Sequence, residues 1–155
     1  MAYLTLVARV LLGGTLAVAG VLKALDGPAR SVALVAGYRI VPEVLARPIG
    51  VALPYLEILL GAYLVVGLFT RFAASVATVQ FLVFAVAVGS LVVRHIAADC
   101  GCFGSGVPTP PSWGHVAADL ALAAVAAFVV RGAPGPYAVD RYLGASGTFA
   151  RGREA

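Results

Sequence analysis

Four long apolar blocks, Tyr3–Leu25, Val51–Phe69, Phe72–Val93 and Trp113–Val130, constrain the fold before any motif is considered. Each approaches the roughly 17–25 residues an α-helix needs to cross a bilayer. The third is the clearest, with Gln80 its only strongly polar side chain. The fourth is short, rich in Ala and bounded by Arg131-Gly132; Ser112, after Pro110-Pro111, is its expected N-cap. A water-soluble four-helix bundle needs a wide polar face on each helix, and none of these blocks has one. Composition agrees: 61% of the residues are hydrophobic, 12% are charged and the mean hydropathy is +0.99. The expected fold is all-α, an integral membrane four-helix bundle.

The segments between the blocks refine this picture. Asp26–Gly50 is mixed in character and reads as a short interfacial segment between spans one and two. Within it Asp26 is the expected cap of a short helix, with Pro28 in its first turn and Gly37 as its stop. The tight Thr70-Arg71 link makes the second and third spans antiparallel neighbours. Ala17-Val18-Ala19 resembles a signal cleavage site, but Arg9 lies inside the apolar run, so residues 1–25 read as a retained helix. Small residues at Gly13, Ala17 and Gly20, and at Ala117, Ala121 and Ala124, mark expected packing faces of the first and fourth spans. Residues 1–131 form one membrane domain; residues 132–155, basic and without helical periodicity, read as a flexible surface tail.

Four spans put both termini on one side with Arg71, and the 26–50 segment and the loop near residue 100 on the other. The ionisable residues gather toward the loop side. Lys23 ends the first span there, Glu57 and Asp119 lie about two turns into the second and fourth, and Arg94, His95 and His115 flank the loop. Arg9 is the exception, near the opposite end. Intramembrane charges cost several kcal/mol when unpaired, so they pair within a bundle or line a wet cavity. Lys23–Glu57 is the favoured pair, with a register-fixing ion pair and a proton path as its two readings.

The loop itself holds the only two cysteines, in Asp99-Cys100-Gly101-Cys102-Phe103-Gly104. Residues two apart can approach disulfide geometry when the intervening one bends freely, as Gly101 does. A small strained ring is easily reduced, which suits exchange rather than permanent cross-linking. Cys100 and Cys102 are therefore the candidate catalytic pair, with Lys23, Glu57, Arg94, His95, Asp99, His115 and Asp119 as the supporting polar site. Two other readings stand beside it. His95, Cys100, Cys102 and His115 are metal-ligand types, but the Cys-x-Cys spacing is tighter than usual for zinc, and no metal is assigned. Two inert thiols in a structural loop is the third. The scattered bases, without a basic stripe or stacking aromatics, argue against nucleic-acid binding.

Arg9 with Gly13-Gly14, Gly20-Val21-Leu22-Lys23-Ala24-Leu25, Tyr38, Pro42, Pro54-Tyr55-Leu56-Glu57, Gly61 and the Asp99–Gly104 motif together resemble the MauE/DoxX group of small four-span membrane proteins. The likeness is strongest to its MauE-like, methylamine-utilisation branch and stops near Arg131. It implies redox or disulfide chemistry, a maturation role for a disulfide-rich dehydrogenase subunit, and a thioredoxin-like partner. In the wider group it implies quinone-coupled sulfur oxidation or oxidative-stress complexes. No nucleotide, haem or flavin motif is present, and a quinone has no sequence feature in its support. The functional expectation is a thiol–disulfide relay in the cell membrane, serving an extracytoplasmic thioredoxin-like protein. The bases divide evenly enough that orientation follows chemistry: oxidising conditions suit the cysteines, placing them outside and the termini in the cytoplasm. A non-enzymatic assembly factor or scaffold is the main rival. A transporter is disfavoured by four spans without an inverted repeat.

Overall fold

The computed structural model describes residues 2–96, 98 and 110–143. Among these, α1 (Ala2–Leu25), α3 (Glu43–Val66), α4 (Thr70–Val93) and α5 (Trp113–Gly132) are long and apolar enough to cross a membrane. A short α2 (Pro28–Gly37) joins the first two. The described residues thus form helices without a strand among them, with the four spans expected.

Packing follows small residues. Along the α1–α3 crossing, Gly13, Ala17 and Gly20 meet Pro54, Glu57 and Gly61. A Cβ added at Gly20 would lie 2.6 Å from the Pro54 carbonyl oxygen, and one at Gly61 would lie 2.6 Å from the Ala17 nitrogen. Only glycine permits backbones this close, and such approach is how helices gain van der Waals contact where lipid removes the hydrophobic drive. The other tight pair is α4 with α5, closed by Ala73, Ala74, Ala77 and Phe81 against Ala123, Ala126 and Val129. Leu12, Leu16, Leu60 and Leu64 complete the core between the pairs. Around the bundle the order is α1, α3, α4, α5, and α5 closes back on α1.

Several expectations need correction. The second span begins at Glu43 rather than Val51, because Pro48, like Pro54 further on, lies inside the helix instead of stopping it. Each proline removes one backbone bond, a loss that neighbouring helices make tolerable in membrane proteins. The interfacial segment therefore shrinks to α2 and the link to Glu43. Gly50 seats α3 against α2, where an added Cβ would lie 2.6 Å from the Val32 Cα. The cap of α2 is Gly27, at φ +87°, with Pro28 in the first turn; Asp26 lies one residue earlier. The second and third spans touch, yet each packs more extensively on another helix, α1 and α5 respectively. Ala117, Ala121 and Ala124 lie on the exposed face of α5, and the buried frame is Asp119, Ala123, Ala126 and Val129. In so Ala-rich a helix small-residue spacing exists in every frame, so spacing alone does not choose the face.

The tail is not loose over its first turns. Arg9, 1% exposed, donates to the carbonyls of Pro134 at 3.1 Å and Tyr137 at 3.4 Å. Ala138 is buried, and Asp140 accepts from the Phe69 and Thr70 amides, each at 2.7 Å. A carboxylate from the tail thus caps the N-terminus of α4, where the macrodipole is positive. This cap steadies Phe69, which sits in the left-handed region at φ +48°. Partial burial pushes the Asp140 carboxyl upward, but the hydrogen bonds from Thr70 and Phe69 and the charge of Arg9 outweigh it. Its pKa lies below the ordinary carboxylate value.

Candidate functional site

Each spanning helix sends one strongly polar side chain inward at a common level: Lys23 from α1, Glu57 from α3, Gln80 from α4 and Asp119 from α5. All four are at least nine-tenths buried. Lys23 Nζ donates to Glu57 Oε1 at 2.6 Å, the pairing favoured from the sequence. Gln80 Nε2 donates to the same oxygen at 3.3 Å. The ammonium also lies 5.3 Å from the centroid of the Phe84 ring, a distance at which the ring face attracts a cation. Because α3 starts early, Glu57 lies 14 residues after Glu43, about four turns into its helix rather than two. Lys23 is two residues from the end of α1, so the first turns of α3 run past α1 and pack on α2.

Gln80 did not enter the sequence-derived site. Its signal was present: it is the lone strongly polar side chain of the most apolar span, and such a residue must find a partner inside the bundle.

Two cavities meet at Lys23. The smaller, about 100 Å³, is lined by Thr15, Lys23, Glu57, His115 and Asp119, with Phe81 and Phe84 among its apolar walls. The larger, about 210 Å³, lies between α2, the start of α3 and α4, with Leu34, Tyr38, Ile49, Val83 and Phe84 in its nearly all-apolar lining. His115, half-buried in the first turn of α5, is paired through Nδ1 with Ser112 Oγ at 2.8 Å. Ser112 stands at the N-cap as expected, but its hydroxyl serves the imidazole rather than a backbone amide.

Arg94 stands apart from this cluster. Its Nη1 donates to the carbonyls of Tyr38 at 3.2 Å and Arg39 at 3.5 Å, tying the end of α4 to the link between α2 and α3. His95 is exposed, at φ +52°, and also lies away from the buried group. Of the expected supporting residues, the structure gathers Lys23, Glu57, His115 and Asp119 around one cavity. Arg94 and His95 mark the point where the chain leaves α4 for the loop. Asp99, Cys100 and Cys102 lie outside the described residues. In sequence they fall between α4 and α5, and the helix ends that flank them are those nearest Lys23 and His115. A cleft of about 300 Å³ lined by Arg30, Arg39, Ile96 and Ala98 flanks the chain as it enters that loop. Among the described residues, no three His, Cys, Asp or Glu side chains converge as metal ligands.

Comparison with known proteins places this architecture. The family model for methylamine utilisation protein MauE matches residues 1–132. Methylamine utilization protein MauE of Paracoccus denitrificans is 34% identical over 118 residues, 76% of this chain and 63% of that protein. The protein of the same name from Methylorubrum extorquens is 36% identical over 94 residues, 59% of this chain and 50% of that protein. The chain therefore spans between half and about two thirds of the length of these relatives. No solved structure matches significantly. With all four spans and the buried Lys23–Glu57 pair inside the matched region, the chain belongs to the methylamine utilisation protein MauE family.

Proposed function

We propose that this protein is a membrane thiol–disulfide relay. Cys100 and Cys102 exchange a disulfide with an extracytoplasmic thioredoxin-like partner during maturation of a methylamine dehydrogenase-like client. The carrying observation is that the helix ends bounding the cysteine loop are also the ends nearest the buried polar group around Lys23 and Asp119. Family membership supports the methylamine context, since both relatives bear that name. In the exchange, one thiolate of a reduced partner attacks the Cys100–Cys102 disulfide and forms a mixed disulfide. The partner's second thiol then resolves it. Two electrons and two protons pass to the loop, and the partner leaves oxidised; the reverse direction uses the same steps. Arg94, at the loop's start, and the Arg30–Arg39 cleft supply positive charge that favours thiolate. In this reading the protein sits in the cell membrane, its loop outside and its termini in the cytoplasm.

The test is capture of mixed disulfides by the full chain in membranes. Cys100→Ser or Cys102→Ser should leave insertion intact, one variant trapping the partner and the double variant trapping none. A double variant that still complements a deletion strain would refute the relay and support a scaffold.

A further inference from the structure

Three buried oxygens of the central group, Glu57 Oε2, Gln80 Oε1 and Asp119 Oδ2, have no hydrogen-bond partner among the described residues. All three are acceptors unless a carboxyl is protonated, so they need donors the neighbouring side chains do not provide. An unsatisfied buried polar atom costs about 1–3 kcal/mol, and a charged one costs more. The cavity of about 100 Å³ lined by Glu57 and Asp119 is the space beside two of these three groups. A water needs space for about one probe sphere and two to four polar partners; the cavity has the space, and Thr15, Lys23, Glu57, His115 and Asp119 are the polar residues in its otherwise apolar lining.

Charge points the same way. The titratable groups lining the cavity are Lys23 from α1, Glu57 from α3, and His115 and Asp119 from α5; α4 contributes the neutral Gln80 to the group. The Lys23 ammonium neutralises one carboxylate, and it is committed to Glu57 at 2.6 Å. A second ionised carboxyl within the bundle would remain uncompensated, at a cost of several kcal/mol. One added proton settles the charge problem and eases the other. It removes the excess negative charge, and it turns an acceptor into a donor.

We propose that this cavity holds ordered water and one exchangeable proton, carried by Asp119 and reaching the loop side of the bundle through His115. Asp119 is the carboxyl without the ammonium. His115 lies a turn earlier on the same helix, half-buried, and lines the same cavity. With Nδ1 engaged by Ser112 Oγ, Nε2 is the ring atom left for exchange. The use of the proton rests on the thiol–disulfide reading above; the proton site itself does not. Each attacking thiol releases one proton and each departing thiolate takes one back, so exchange is proton-neutral overall but needs a local donor and acceptor.

Infrared difference spectroscopy on the full chain in lipid nanodiscs tests this. A protonated-carboxyl carbonyl band should appear at neutral pH, shift in deuterated water and vanish in Asp119→Asn; Glu57→Gln, which frees the Lys23 ammonium to compensate Asp119, should weaken it. An isotopic label on aspartate side chains should move the band in the unmutated chain, which keeps the test open if Asp119→Asn fails to fold. Movement by a glutamate label instead, or no such band near neutral pH, overturns the proposal. His115→Ala should slow deuterium exchange of the band by about 10²-fold, the scale of a lost acid–base group; an unchanged rate overturns the role of His115. The Cys100→Ser/Cys102→Ser double variant separates the two proposals. In that variant, which has no cysteine left to capture a partner, a band that persists supports the proton site and a missing band refutes it; in the unmutated chain a missing band with capture intact refutes the proton site alone.

Discussion

Replacing Lys23 by Met removes the ammonium from a pair whose side chains are 7% and 1% exposed. At 2.6 Å the gross attraction is about 6 kcal/mol for an effective dielectric constant of about 20. Desolvation offsets much of this, at several kcal/mol per ion, so the pair's net contribution is small. The asymmetry lies in breaking it. Lys23→Met strands Glu57 beside Asp119 with no ammonium between them, and loss of one partner of a buried pair costs about 3–5 kcal/mol. That is two to nearly four orders of magnitude in the folding equilibrium. Glu57→Gln strands the ammonium, with the Phe84 ring as partial compensation. The double variant Lys23→Met/Glu57→Gln removes both charges and should fall within about 1 kcal/mol of the unmutated chain, giving a coupling of at least about 2 kcal/mol. Steric trapping or reversible denaturation in bicelles measures all four corners of this cycle. Acid should narrow the gap for Lys23→Met, because a protonated Glu57 no longer needs its counterion. A Lys23→Met loss below about 1 kcal/mol, or a double variant as unstable as the two single losses combined, would refute the view that the pair is an isolated buried charge couple.

Two further outcomes follow from the packing. Gly61→Ala sets a methyl against the α1 backbone and should destabilise by about 1–3 kcal/mol, whereas Gly14→Ala, with nothing within 4 Å, should be neutral or stabilising in the same assay. Asp140→Asn weakens the cap on α4 and should cost about 0.5–2 kcal/mol at neutral pH; together with Arg9→Met it should expose the 133–143 strap to protease. Because folding lowers the Asp140 pKa, its contribution is present above about pH 4, the unfolded value, and is lost as the pH falls through the folded value.

Much of this was legible in the chain because a bilayer allows few solutions. Every backbone amide must be satisfied within the element, so runs of apolar residues long enough to span become helices, and a lone charge inside one must pair. That logic reaches four spans and the Lys23–Glu57 couple without coordinates. It falters at Pro48, where proline usually ends a helix in water but is accommodated in a packed membrane helix. It falters again on α5, where Ala117 and Ala123 are chemically identical and only the neighbours tell the lipid face from the core.

The sequence by itself therefore determined the number of spans, the family and the charged pair, because length, hydropathy and the cost of burying charge are local or compositional properties. Only the tertiary structure decided that Gln80 joins that pair, that Asp119 and His115 share its cavity, and that Asp140 returns to cap α4. Those outcomes depend on helix rotation and on contacts between residues distant in the chain, 23 positions from Glu57 to Gln80 and 70 or 71 from Thr70 and Phe69 to Asp140. Rotation is set by which small residues let two backbones touch. A one-dimensional pattern rich in Ala and Gly offers too many equivalent choices to fix it.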